Sequence, residues 1–189
     1  MSLGWIILAV VAAAVIYAIY VYNRLVRLRN MVSEGFSGVD VQLRRRTDLV
    51  PNLVETVKAY AAHERSVLEE VAATRASSIA ANDVPGQAAA ARGLQAALGK
   101  LFALAEAYPQ LKADKNFLEL QNQLAEIEDQ LQMARRYYNG TVRNLNISIQ
   151  SFPNNLLAGL LGFRQEPFFE LDDRGAGTAP TVAISGTQP

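Results

Sequence analysis

Three consecutive arginines (Arg44-Arg45-Arg46), one histidine beside a glutamate (His63-Glu64) and two tyrosines ahead of an asparagine (Tyr137-Tyr138-Asn139) are the residues here with most capacity for chemistry. None belongs to a reactive set. His63-Glu64 opens like a zinc-protease motif, but positions 66 and 67 are Ser and Val and the chain holds no second histidine. Such a metal needs two imidazoles on adjacent helical turns. Glu55 lies two turns before His63, too far for the contact of about 3 Å that acid–base catalysis requires. Cysteine is absent, which removes disulfides, thiolate nucleophiles and Cys-ligated metals. These residues predict a protein that is not an enzyme and carries no cofactor or metal.

Consecutive helix positions fan over about 200° of arc, so Arg44, Arg45 and Arg46 cannot all face one partner. By register Arg46 points into an apolar seam, where it snorkels or pairs with a carboxylate such as Glu119 or Glu126. A phosphate or lipid headgroup is the alternative use for Arg44 and Arg45. Tyr138 fills a seam with its hydroxyl seeking a neighbour, while Tyr137 and Asn139 offer an outward patch. Eighteen basic residues balance eighteen acidic ones, leaving no global field to attract nucleic acid.

The elements that must position these residues are helices. Between Val39 and Ser151 glycine and proline are scarce, while Ala, Leu, Glu and Gln abound. Val39, Leu43, Val50, Leu53, Val57, Tyr60, Val67 and Val71 follow a heptad pattern that predicts one helical region from Phe36 to Ile79. Pro51 interrupts it, predicting a kink or short break over Thr47–Pro51, with Asp48 capping a restart. Asn82-Asp83-Val84-Pro85-Gly86 reads as a turn, followed by a helix from Gln87 to Ala105. Tyr108-Pro109 breaks that helix, and Asp114 caps a last long one. There Phe117, Leu120, Leu124, Ile127, Leu131, Ala134 and Tyr138 repeat by sevens, before a four-residue step to Val142, Leu145 and Ile149.

Asn139-Gly-Thr141 and Asn146-Ile-Ser148 match the glycosylation sequon, a pattern short enough to arise by coincidence. Past the Phe152-Pro153 break come Leu156, Leu157, Leu160, Leu161, Phe163, Phe168 and Phe169, an apolar excess at the end of a bundle. It folds back over the bundle, rests on a membrane, or buries against another subunit. Asn154 or Asn155 caps the short helix within it.

Upstream, Leu3 to Tyr22 carries no charge over twenty residues, a helix of about 30 Å and one bilayer crossing. Arg24, Arg27 and Arg29 follow at once and set the orientation, N-terminus outside and bundle in the cytoplasm. No positive n-region or small-residue cleavage site marks a signal peptide. The divisions are a transmembrane anchor (1–22), a helical bundle domain (23–171) and a disordered tail (172–189). The predicted fold is all-α: a single N-terminal transmembrane helix continuing into a long antiparallel cytoplasmic helical bundle.

Several blocks of the chain are long and unusual: Tyr22-Asn23-Arg24-Leu25 through Asn30, Val39-Asp40-Val41-Gln42-Leu43-Arg44-Arg45-Arg46-Thr47-Asp48-Leu49-Val50-Pro51-Asn52 and Tyr60-Ala61-Ala62-His63-Glu64. Glu106-Ala107-Tyr108-Pro109, Ala134-Arg135-Arg136-Tyr137-Tyr138-Asn139, Ser151-Phe152-Pro153-Asn154-Asn155 and Gly162-Phe163 complete the set. Together they closely resemble the LemA family of bacterial inner-membrane proteins. The resemblance implies an N-terminally anchored, mostly helical protein, related to one involved in forming magnetosome membranes. It supplies no catalytic residue. Gly35-Phe36-Ser37-Gly38 stands where the family usually has Ala-Trp-Ser-Asp, which lowers helix propensity locally.

The function expected is a membrane-anchored structural or scaffold protein, a homo-oligomer that organises membrane or recruits partners. A signalling or regulatory adaptor for another envelope protein or protease system is the alternative. Partners are the lipid bilayer, further copies of the chain and an unidentified membrane protein, without nucleic acid. The structural or interaction candidates are Arg44, Arg45, Arg46, Pro51, Tyr108, Tyr138, Phe152, Leu156, Leu160, Phe163 and Phe168.

Overall fold

A computed structural model describes residues 3–170, and the expected disordered tail at 172–189 lies outside the described residues. Among the described residues every regular element is a helix: α1 (Leu3–Tyr60), α2 (Arg65–Ala80), α3 (Val84–Ala105), α4 (Pro109–Lys112), α5 (Lys115–Gln150) and α6 (Asn154–Leu160). The all-α fold, with one apolar N-terminal helix running on into a multi-helix bundle, is as the sequence predicts.

α1 is a single helix of 58 residues, about 87 Å long. The expected break at Thr47–Pro51 is absent, and Asp48 caps nothing there. Proline removes the N–H that would bond the carbonyl of Thr47, the cost that normally kinks a helix. That carbonyl instead accepts from Arg75 Nε of α2 at 2.9 Å. The orphan acceptor is satisfied from outside, so the helix continues. The chain breaks later, at 61–64, where sequence carries neither glycine nor proline and one helix was expected. Turning there lets α2 fold back on α1 and bury Ala61, Leu68 and Val71.

α1 and α5 form the long antiparallel pair. Leu25, Val32, Val39, Arg46 and Leu53 are buried at seven-residue intervals on α1, as are Phe117, Leu124, Leu131, Tyr138 and Leu145 on α5. The expected residues after Tyr138 are in the interface, Val142 and Leu145 buried and Ile149 packed against the core, but the heptad is not skipped: Thr141 and Ser148, also buried, carry the second seam onward. Small hydroxyl residues had hidden it. Thr141 Oγ1 donates to the Tyr138 carbonyl at 2.7 Å, the back-bonding that lets a hydroxyl sit inside a helix interface. Gly35, in the segment of lowered helix propensity, lies where α1 packs tightly on α5. A Cβ there would stand 3.1 Å from Tyr138 Cα.

α2 and α3 pack as a hairpin against the distal half, closing a core around Val50, Leu53, Leu94, Leu101 and Phe117. A second core nearer the apolar end gathers Val21, Leu25, Val39, Leu131, Tyr138 and Phe169. Asp83 caps α3 by accepting from Gly86 N at 3.1 Å. Asp114 caps α5 as predicted, accepting from Asn116 N at 2.9 Å and Phe117 N at 3.0 Å.

Candidate functional site

The three arginines part company, as the helical fan requires. Arg44 is exposed and pairs with Asp40 one turn back at 2.9 Å. Arg45 crosses to α5 and donates to Gln130 Oε1 at 3.1 Å. Arg46 points into the seam as expected, but its carboxylate is Glu128 at 3.4 Å, not Glu119 or Glu126. Only 6% of its side chain is exposed, and its Nη1 is buried without a hydrogen-bond partner. Burial pulls the guanidinium below its usual value, against the opposing pull of Glu128. A cavity of about 420 Å³ opens beside it, lined by Asp40, Arg44, Thr47, Ser78 and Gln87. Of the charged groups that line it, Arg44 pairs with Asp40 and Arg46 with Glu128, and Asp48 lines it as well.

At the distal end Tyr108 is a brace. It donates to Glu64 Oε1 at 3.3 Å, tying the α3–α4 turn to the break between α1 and α2. Tyr60 donates to Asp114 Oδ2 at 2.9 Å and couples the end of α1 to the cap of α5. That bond raises the Tyr60 hydroxyl above its ordinary value. The Asp114 carboxyl is lowered, chiefly by the Phe117 N–H it accepts. His63 lies exposed in the break. Among the described residues no group of three His, Cys, Asp or Glu converges as metal ligands would.

The densest constellation lies at the other end, where α5 meets the apolar part of α1. After Gln150 the chain turns through Ser151 and the cis Phe152–Pro153 peptide, makes α6, and then runs without helix over residues 163–170. This last segment is a strap laid back along α5. Asn146 clamps it at Glu166, with Oδ1 accepting from Glu166 N and Nδ2 donating to Glu166 O, both at 2.9 Å. Asn139 repeats the clamp at Phe169, accepting from its N at 2.9 Å and donating to its O at 3.2 Å. The spacings match: two helical turns between the asparagines and three extended residues on the strap each span about 10 Å.

Between the clamps Tyr138 Oη donates to the Pro167 carbonyl at 2.8 Å, so Tyr138 fills the seam and finds its neighbour as predicted. Burial, then the nearby Glu166 carboxylate, pushes its hydroxyl up to about 12. Phe169 is buried beyond it, and Arg92 Nη1 holds the Glu170 carbonyl at 2.9 Å. Asn139 therefore faces the strap and not outward, whereas Tyr137 is exposed. The asparagines were missed as structural residues because the sequon pattern framed them. Their seven-residue spacing beside a buried heptad was the usable signal.

The apolar excess at 152–169 divides. Ala158 and Phe169 are buried, Phe163 sets its ring edge-on to Tyr22 at 6.0 Å, and Phe168 stays partly exposed. Phe152, Leu156 and Leu160 are exposed at 80%, 61% and 85%. Asn154 does not cap α6, which starts behind Pro153. It is buried, and its Oδ1 accepts from Tyr17 Oη at 2.8 Å. A groove of about 520 Å³ opens there between α1 and the end of α5, lined by Tyr20, Arg24, Asn144 and Phe152.

From Leu3 through Ile16 α1 is bare, and it is the one helix among the described residues long and apolar enough to cross a membrane. The family model described as the LemA family matches residues 35–184. Magnetosome proteins MamQ 1 and MamQ 2 of Paramagnetospirillum magneticum (strain ATCC 700264 / AMB-1) are each 27% identical over 187 residues, covering 85% of this chain and 68% of theirs. Magnetosome protein MamQ of Magnetospirillum gryphiswaldense is 24% identical over the same length and coverage.

Proposed function

The chain belongs to the LemA family, and on that premise we propose that this membrane-associated, non-catalytic protein is a structural scaffold. Copies self-associate in a bacterial inner membrane and organise the bilayer or recruit a membrane-protein partner. The observation that carries this reading is the continuity of α1, which passes from its bare apolar segment into the core of the bundle without a hinge. A rod of this kind transmits the orientation of the anchor to every bundle surface, so neighbouring anchors would hold their bundles in register. The similarity to magnetosome proteins supports a role connected with membranes. The anchor (1–22) and the bundle domain (23–171) act as one unit in this scheme. Arg24, Arg27 and Arg29 favour a cytoplasmic bundle, where protease added to intact spheroplasts leaves a C-terminal tag uncut.

Ala9, Ala12, Ala13, Ala14 and Ala18 give the anchor small residues for close packing in lipid. Mass photometry of the detergent-solubilised full chain tests the assembly, and particles of a fixed multiple of 20.6 kDa are expected. Monomers across the micromolar range would remove the scaffold and leave the adaptor reading.

A further inference from the structure

The cover of the bundle over α1 begins inside the uncharged run, not beyond it. Tyr17 bonds Asn154, Val21 is buried, and Tyr22 meets Phe163. The bare part, residues 3–16, is about 21 Å long, against a hydrocarbon core of about 30 Å. The shortfall of about 9 Å equals the length of α1 from Tyr17 to Tyr22, the stretch that Asn154 of α6 and Phe163 reach on one side while Ile19 and Tyr20 stay exposed. For the whole apolar run to lie in lipid, α6 must enter the bilayer with it.

The composition of this end agrees with such a position. No charged residue occurs from Asn144 to Phe163, and the residues bounding that run, Arg143 and Arg164, are both basic and exposed. Arg24, Arg27 and Arg29 are exposed just beyond the run on α1. Arg29 and Arg164 line one small cavity with Phe163, which places them at one level of the bundle. A belt of arginines thus follows an apolar collar, the order of headgroup and acyl layers. α6 itself is two-faced. Asn154 and Ala158 turn inward, while Leu156 and Leu160, four residues apart, share the outward side, and Phe152 is exposed in the turn just before the helix.

We infer that α6 is a second, interfacial membrane contact: Phe152, Leu156 and Leu160 immerse in the acyl margin of the leaflet through which α1 emerges. The occupant of this face is lipid. The inference rests on the membrane reading of α1, and its test keeps the two apart. Trp5 is the chain's one tryptophan and lies in the bare segment, so it reports insertion of the anchor. In a Trp5→Phe background, Leu160→Trp and Leu156→Trp report α6, and Leu118→Trp, exposed at the distal end, reports the aqueous bundle.

The full chains are reconstituted in vesicles of phosphatidylcholine and phosphatidylglycerol, with and without bromine on the upper acyl carbons. Emission from Leu160→Trp and Leu156→Trp should be blue-shifted and lose more than half its intensity to bromine, while Leu118→Trp is unaffected. Unquenched, water-like emission at positions 156 and 160, with Trp5 quenched in the natural chain, would overturn the inference and leave the anchor standing. Blue-shifted emission that bromine does not reach would overturn it in favour of burial against another copy. Failure of bromine to quench Trp5 would overturn the anchor and the inference together.

Discussion

Replacing Asn146 by alanine should free the strap without unfolding the bundle. The side chain is buried and supplies both bonds at Glu166, each 2.9 Å. Two hydrogen bonds of about 1 kcal/mol each are lost, so holding the strap weakens by roughly 2 kcal/mol. The groups left behind reach water as the strap lifts, which limits the penalty to the strap itself. A change of about 2 kcal/mol corresponds to about a thirtyfold rise in the open population. Amide hydrogen exchange on the full chain in detergent micelles reads this, and the informative amide is Phe169. Its N–H bonds Asn139, which the substitution leaves in place, so faster exchange there measures coupling along the strap. Exchange at Phe169 should rise about thirtyfold, while Leu131 and Leu53 in the core keep their protection. If Glu166 alone exchanges faster and Phe169 does not, the two clamps act independently and the strap is not a unit.

The buried ion pair should respond asymmetrically: Glu128→Ala strands the Arg46 guanidinium and costs about 3 kcal/mol in urea unfolding, whereas Arg46→Met changes stability by less than about 1 kcal/mol. Equal losses would mean that the pair itself stabilises the fold. Gly35→Val forces α1 from the Tyr138 backbone and should cost about 2 kcal/mol, while Gly38→Ala, with nothing within 4 Å of the new Cβ, should gain about 0.5 kcal/mol; melting temperatures decide. Tyr138 has a folded pKa of about 12 above an unfolded value near 10.0. Its contribution is therefore complete below pH 10 and is lost as pH rises through about 12, worth about 1–2 kcal/mol after solvent screening. Tyr138→Phe should flatten that part of the stability–pH curve, and an unchanged slope would place the alkaline transition elsewhere.

How much was legible in advance differs between the seams and their joints. Heptad spacing alone named Val39, Leu53, Leu124, Leu131 and Tyr138 as buried, because a helix turns side chains at fixed angles and only an apolar stripe can be covered. Asp114 was readable as a cap, since its carboxylate serves N–H groups two and three residues away. The uncharged run and the arginines after it were readable because they depend on length and charge alone. All of these are local rules.

Tertiary structure decided whatever depended on a group far along the chain. Pro51 sits in an unbroken helix because Arg75 reaches the carbonyl that proline orphans. The break at 61–64 carries no turn residue; it falls where Tyr108 and Asp114 brace the end of α1. Arg46 chose Glu128 over two carboxylates equally open to it in sequence, since register between helices is fixed only when both seams close. The asparagine clamps and the placement of α6 share this cause. A polar side chain shows in sequence that it needs a partner, and only the packed chain shows which one comes within 3 Å.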